Sequence, residues 1–450
     1  MGKFLFSKLL TSEESRSNYD KITLILIGIL LLFYASITSG IIFIIVSLLS
    51  FFSVKFLSKL KGTKQQKLLF IIIPIILSPL IYYKYSYFFI NQVFNVNTNL
   101  FVNIIIPVGI SFYTFQKISF VIDTIARKEK APKFLDFINF AGFFPQVVAG
   151  PIERKKDLLP QIQSFRYKIS WPDINIGIRY IILGLFFKLT IADNIAMYFQ
   201  NGQTYNVWQI WLNNILFGLR IYFDFSGYGI IAVGISRCLG IHLTMNFLSP
   251  YTARNANEFW RRWHISLTSW FRDYIYINLG GNRTKLWAIN IIIVFAISGL
   301  WHGSSWNFIL WGLFCGLSLI IFKAYSKIGI KLPSFIAWLL TMITCFYIWM
   351  FFYDDNIQSL YDKSIIIFNP FSYSMSNLSS FLLKMAIPQT TGLVFSLIIA
   401  AMTIGIEFIS NKIYKNPYRI LLSTVACCAM IFITVFAHPT ISNEFIYFAF

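Results

Sequence analysis

Apolar stretches long enough to cross a bilayer recur along this chain, separated by short loops in which lysine and arginine outnumber the acids. A segment of about twenty apolar residues has few stable environments other than lipid, and there it must be helical so that its backbone groups bond one another. Composition agrees: of 450 residues, 57% are hydrophobic and only 12% charged, against roughly 25% charged in an ordinary soluble domain. The sequence therefore reads as an all-α, polytopic integral membrane protein. Its net charge of +20, from 38 Lys and Arg against 18 Asp and Glu, would in a soluble protein raise the question of nucleic acid. Here the basic residues sit between apolar runs, the pattern of cytoplasmic loops under the positive-inside rule, and nucleic acid is excluded as a partner. Cys238, Cys315, Cys345, Cys427 and Cys428 mostly fall inside apolar runs without paired or metal-site spacing, so they read as buried small hydrophobes. No metal site is expected. The first twenty residues are polar and mixed in charge, unlike a cleavable signal peptide.

Residues 22–54 are too long for one upright span and are interrupted by "ASITSG", which predicts a hairpin of two spans. The next loop carries Lys55, Lys59, Lys61, Lys64 and Lys67 with no acid, placing it on the cytoplasmic side. A span over about 68–84 and an extracytoplasmic "NQVFNVNTN" follow. Residues 100–125 are apolar but hold Pro107, Gly109, Gln116, Lys117 and Asp123, which predicts a bent element buried in protein rather than facing lipid. With the apolar runs farther on, roughly ten to twelve spans are expected. They form one membrane domain over 1–450, with no soluble domain, low-complexity tract or internal repeat.

Ionisable and amide side chains inside such runs are costly, so they are the candidates for function. In "GLRIYFDFSGYG", Arg220 and Asp224 lie four apart, on one helix face, and are expected to form a structural ion pair. "FFPQVVAGPIER" combines Pro145, Gln146, Gly150, Pro151, Glu153 and Arg154, which suits a re-entrant loop or the end of a span equally. Across 258–276, "EFWRRWHISLTSWFRDYIY", helical geometry puts Trp260, Trp263, His264, Leu267, Trp270, Phe271 and Tyr274 on one face. Arg261, Arg262, Thr268, Ser269, Arg272 and Asp273 fall on the other. An amphipathic helix at the cytoplasmic interface is predicted, with its basic face toward headgroups or an anionic ligand and His264 pointing inward.

His302, in "SGLWHGSSW", lies between Lys285 and Lys323. Both flanks are basic, so the apolar residues between them should cross and return, turning near Gly303 and the Ser304–Ser305 pair. Each leg is then about eighteen residues, roughly 27 Å at 1.5 Å per residue, which puts His302 deep in the membrane or near its outer side. A neutral imidazole there can take a proton from a hydroxyl and return it to a leaving group, as acyl transfer to an alcohol requires. A histidine bridging two helices by hydrogen bonds explains the same residue without chemistry.

The blocks "NFLSPYTARNANEFWRRWHISLTSWFRDYIYINLGGNR" (246–283) and "SGLWHG" (298–303) resemble the membrane-bound O-acyltransferase family. Within it they are most similar to the membrane subunits of bacterial alginate and peptidoglycan O-acetyltransferases. "VGISFYTFQKISFVID", "FFPQVVAGPIER" and "FDFSGYGIIAVGISRCLGI" match further blocks in the same order, as does the closing "FIYFAF"; the strong resemblance covers about 100–325. The resemblance implies a ring of helices, some re-entrant or interfacial, around a central tunnel, in which donor and acceptor approach from opposite faces. It implies His302 as the catalytic residue and His264 as the second functional position. Arg261, Arg262, Arg272, Trp301, Asn257, Gln146 and Asp224 are the positions expected to contact donor or substrate, the basic residues of 254–285 suiting the phosphates of coenzyme A.

On this resemblance the expected activity is transfer of acetyl from a cytoplasmic thioester, acetyl-CoA, across the bacterial cytoplasmic membrane to a hydroxyl of peptidoglycan or an exported polysaccharide. A separate extracytoplasmic SGNH-type serine acyltransferase is the expected partner. D-alanyl transfer proteins acting on teichoic acid share the "RWH" and "WHG" blocks, but "YINLGGNR" is more like the acetyltransferases. The rival of another class is a transporter or glycan flippase in which His302 relays protons.

Overall fold

The structure, a computed structural model, describes residues 12–96, 101, 104–148, 150–200, 206–329, 331–383, 387–437 and 445. The first eleven residues, part of the Asn-rich loop and the closing "FIYFAF" apart from Phe445 lie outside the described residues. Among the described residues there are helices and no strands. Eight helices among the described residues are long and apolar enough to cross a membrane, and Trp287–His302 and Thr424–Ala437 are shorter apolar helices. The protein is a multi-pass membrane protein. Its chain divides into two compact units, one of residues 1–178 with 232–244, the other of 179–231 with 245–450.

In the first unit, α1 (Glu13–Ala35) and α2 (Ile37–Leu57) are the predicted hairpin. The break falls at Ser36, extended at φ −167°, whose hydroxyl accepts the Ser39 N–H and so starts α2. α3 (Gly62–Leu80) carries Pro74 and Pro79, which a span tolerates where neighbouring groups satisfy the freed carbonyls. The bent element is α4 (Ile110–Ala126), entered through Gly109 at φ +72°. A Cβ there would come 2.5 Å from the Val147 carbonyl oxygen, so both the left-handed backbone and the close approach require glycine. α4 is buried on nearly every side, as its polar content predicts.

Two lysines in this unit show how the protein keeps charge away from lipid. Lys21 of α1 meets Asp136 of α5 (Phe134–Ala141) at 2.7 Å and the Gln163 carbonyl at 2.8 Å. Lys117 is fully buried with its Nζ 3.9 Å from the centre of the Phe43 ring and 4.2 Å from that of Tyr113. Ring faces supply the negative potential that an acid supplies elsewhere. The "FFPQVVAGPIER" block forms a short helix over Phe144–Val147, followed by a non-helical stretch over 151–154. Its Glu153 is buried and accepts both the backbone N–H (2.6 Å) and the hydroxyl (2.9 Å) of Thr244. Burial outweighs these bonds and raises its carboxyl to about 7.

α6 (Lys155–Gln163) belongs to the first unit, α7 (Trp171–Leu185) begins there, and the second unit holds most of α8 (Val207–Cys238). It continues with α9 (Ala256–Trp260), α10 (Ile265–Phe271), α11 (Trp287–His302), α12 (Trp306–Ile328) and α13 (Ser334–Tyr353). α14 (Ile357–Phe368), a short helix over Met375–Leu383, α15 (Ile387–Tyr414) and α16 (Thr424–Ala437) follow. The α11–α12 hairpin turns at Gly303–Ser305, as the basic flanks predict. Its two helices approach so closely that a Cβ at Gly299 would sit 2.1 Å from the Phe308 carbonyl oxygen, and one at Gly312 would sit 2.1 Å from that of Phe295. Small residues at a helix interface permit this approach in the membrane, where packing contacts replace the hydrophobic drive. Gly312→Ala must therefore displace backbone. It is expected to lower the melting temperature of the detergent-solubilised protein by several degrees, measured by thermal aggregation against wild type, whereas Gly405→Ala, with open space around it, should not.

Candidate functional site

His302 is the last residue of α11, and Gly303 leaves the helix in extended conformation at φ −155°. Its ring is buried in aromatic edges and faces: Trp301 at 4.9 Å between centroids, Trp311 of α12 at 5.0 Å and Phe352 of α13 at 5.3 Å. The turn that carries it is tied to α13 by Asn307, whose amide donates to the Phe351 carbonyl at 3.1 Å. Three helices thus hold one imidazole.

His264 arrives by a different route, and here the predicted helix over 258–276 is corrected. α9 ends at Trp260, α10 begins at Ile265, and His264 stands between them at φ +40°, ψ +56°, left-handed for a residue with a Cβ. The reason is competition for backbone bonds. The Leu248 N–H donates to the Arg262 carbonyl (3.0 Å), the Ile265 N–H to the Asn246 carbonyl (2.9 Å), and the Ser266 N–H to the Asn246 side chain (3.2 Å). Groups that a continuous helix would pair along its own axis are taken by the 246–248 segment. That segment is anchored in turn. The buried Glu407 of α15 accepts hydroxyls from Tyr222 (2.8 and 2.9 Å) and Ser249 (3.1 Å), and the Tyr418 hydroxyl donates to the Phe247 carbonyl at 2.8 Å. A strained backbone at His264 persists because so many bonds determine it. The predicted burial pattern nevertheless holds: Trp263, His264, Leu267, Trp270 and Phe271 are buried, while Arg261 and Arg272 are exposed.

The two histidines line one chamber of about 490 Å³. Trp301 lies between them, its ring 5.9 Å from His264 and 4.9 Å from His302. Along α11 the lining residues are Ile291, Val294, Phe295, Ser298 and His302, a single helical face about 16 Å long at 1.5 Å per residue. The chamber therefore extends from His302 toward the N-terminal end of α11, where Arg272, Asn282 and Lys323 complete its wall. Lys323 stands 4.0 Å over the Trp287 ring and contacts Asn282. The result is an apolar passage with a histidine at one end and cations at the other, able to receive an anionic ligand with a slender reactive tail.

Of the other residues singled out in the sequence, Arg261, Arg272 and Asn257 line the chamber. Arg262 does not: its guanidinium is bound to Glu258, to Thr252 and, at 3.4 Å, to the Ser249 carbonyl, so it braces the loop beside His264. Gln146 belongs to the first unit, where its amide donates to the Phe140 carbonyl at 3.3 Å. Asp224 is also outside the chamber wall, and its expected partner is corrected. Lys188 stands 2.8 Å from Asp224 and 2.8 Å from Asp193, whereas Arg220 acts on Asp224 from a longer range. Lys188 sits inside its own apolar run, and nothing in helical spacing pairs it with a residue 36 positions away. Lys323 and Asn282 escaped sequence reasoning because each read as an ordinary flanking residue, and Glu407 because its partners lie over 150 residues away. All five cysteines are free, and no group of three metal-ligating side chains occurs among the described residues.

Burial lowers His264 to about 3, so its imidazole is neutral at pH 7 and is positioned to donate or accept a hydrogen bond rather than to carry charge. A folded value below the unfolded one means that the stability tied to neutral His264 is complete above about 6.5 and is lost as pH falls toward 3. Between pH 7 and 4 the melting temperature of His264→Gln is therefore expected to fall less steeply than that of wild type; parallel curves would show His264 to be solvated.

The model of the membrane-bound O-acyltransferase family matches residues 123–361, a span that contains both histidines. The chain is 36% identical over 316 residues to the peptidoglycan O-acetyltransferase of Helicobacter pylori, covering 62% of this chain and 60% of that protein. It is 30% identical over 354 residues to the protein named "Probable alginate O-acetylase AlgI" of Pseudomonas aeruginosa, covering 75% and 66%. It is 31% identical over 253 residues to the teichoic acid D-alanyltransferase of Bacillus subtilis, covering 52% and 63%. The chain thus spans about two thirds or less of the length of these relatives.

Proposed function

Since the chain belongs to the membrane-bound O-acyltransferase family, we propose that it is an acetyltransferase of the bacterial cytoplasmic membrane, drawing acetyl from acetyl-CoA for O-acetylation of an envelope glycan outside. The observation that carries this reading is the chamber itself, with two histidines among aromatic rings, Arg272 and Lys323 toward the other end, and Arg261 also in its wall. An acyl thioester of coenzyme A has the matching form, polyanionic at one end and reactive at the tip of a narrow arm.

In the proposed reaction the acceptor hydroxyl attacks the thioester carbonyl as His302 removes its proton. The new C–O bond forms, the C–S bond breaks, and the imidazolium returns the proton to the departing thiolate, so the histidine ends as it began. The rings of Trp301, Trp311 and Phe352 fix the imidazole plane and exclude water that would hydrolyse the thioester. His264, neutral and held by its clamp, orients the reacting group by hydrogen bonding. The arginines and Lys323 bind phosphate as point charges or forks. The acceptor hydroxyl is the serine of a separate extracytoplasmic SGNH-type acyltransferase; a hydroxyl of peptidoglycan or of an exported polysaccharide then attacks that serine ester, the new C–O bond forming as the bond to serine breaks and the proton passing back to the serine oxygen. Greater coverage and identity to an O-acetyltransferase than to a D-alanyltransferase favour acetyl over D-alanyl.

Mass analysis of base-released acyl groups from purified envelope glycans tests this. Loss of acetate in a deletion strain and with His302→Ala, expressed at equal level, is the expected result; the variant should fall at least a hundredfold in rate. Loss of D-alanine instead would assign the protein to teichoic acid, and full acetylation by His302→Ala would remove the histidine from the mechanism. Arg272→Gln with Lys323→Gln is expected to raise KM for acetyl-CoA several-fold with kcat little changed, read from initial rates in membrane vesicles.

A further inference from the structure

The histidine chamber has a neighbour. On the other flank of α12, a second and larger cavity of about 610 Å³ lies between α12 and α13. The sequence of α12 serves both: Trp311, Cys315, Ser318, Phe322 and Tyr325 form the stripe facing the second cavity, while Leu319, Phe322, Lys323 and Ser326 face the first. Trp260 and Phe322 line both cavities. Trp311, which lines the second, stands edge-on to the His302 ring at 5.0 Å and to the Trp260 ring at 5.9 Å. It is stacked on Trp349 at 5.9 Å and is 1% exposed, so it has no room to swing aside. Two large cavities therefore sit side by side, with Trp260 and Trp311 between them beside the candidate catalytic ring, while Phe322 separates them farther along α12, next to Lys323.

We propose that Trp260 and Trp311 are the specificity-determining partition of this enzyme, limiting the transferred acyl group to a short chain by closing the catalytic chamber off from the second cavity. The inference rests on the acyl-transfer reading above. An acyl carbonyl attacked beside His302 points its carbon chain at the surrounding rings; a methyl group ends before them, whereas a longer chain needs the space they fill. Behind them is an apolar cavity of the size that holds drug-sized ligands. Removing part of the partition joins the two spaces and gives a long chain somewhere to go. The reaction itself is unchanged, with C–S broken, C–O formed and the hydroxyl proton passed through His302 to the thiolate. A hydrophobic pocket separates substrates by about 10- to 200-fold per methylene, so the difference is large enough to measure.

The test uses native envelope vesicles, which hold the full chain together with its extracytoplasmic partner and the glycan, supplied with acetyl-, butyryl- or octanoyl-CoA, and counts base-labile acyl groups formed on the vesicle glycan. Wild type should transfer acetyl and discriminate against octanoyl. Trp260→Ala and Trp311→Ala should each raise the octanoyl-to-acetyl ratio of kcat/KM at least tenfold, while Trp311→Phe shifts it less. Because Trp311 is so tightly packed, Trp260→Ala decides the matter if Trp311→Ala does not fold. An unchanged ratio in active Trp260→Ala overturns the partition and leaves acyl transfer standing. A wild type that transfers nothing from any thioester overturns the acyl-transfer reading and the partition with it.

Discussion

The close approach of α11 and α12 is the constraint on which the site depends. Lipid offers no drive to push two apolar helices together, so their association comes from contact between surfaces that fit. Glycines 299 and 312 let backbone meet backbone, and Gly303 leaves space for the Phe308 ring at the turn. That approach sets His302 against Trp311 and delivers Lys323 to the opposite end of the same chamber. A methyl group at either helix interface position would separate the His302 ring from its aromatic support.

Within each unit, several buried charges are given partners inside protein. Lys21 has Asp136, Lys188 has two aspartates, Lys363 has Asp354 at 2.6 Å, and Lys117 has aromatic faces. Glu407 receives three hydrogen bonds from two hydroxyls. These pairs do not assist the chemistry; they make it affordable to bury the segments that do, since an unpaired charge in such surroundings is heavily penalised. Glu407 has a second effect, because the loop it anchors is the one that clamps His264. Carboxylate, loop and strained histidine form a mechanical series.

Much of the architecture was legible because membrane spans declare themselves by length and flanking charge. The break at "ASITSG", the buried bend at Gly109 and the turn after His302 were readable from small and polar residues interrupting apolar runs. Residues 258–276 show where this reading stops. Their periodicity correctly separated buried from exposed side chains, yet they do not form one helix, because amphipathic spacing records which side faces protein and not which backbone bonds are made. The Arg220–Asp224 spacing misled for a related reason. Four residues along a helix makes a pair possible, but Lys188, from another segment, is the cation that arrives.

By itself the sequence determined a basic, all-α membrane protein, its main helical segments, and two histidines set apart from their apolar surroundings, for these follow from local pattern and from the cost of charge in lipid. Only the tertiary structure decided that both histidines open onto one chamber with Lys323 at its other end, that Arg262 braces a loop instead, and that Trp260 and Trp311 stand between this chamber and a second. The physical reason is that cavities and clamps are made by side chains distant in sequence, whose meeting depends on how closely helices pack, and no local periodicity encodes that distance.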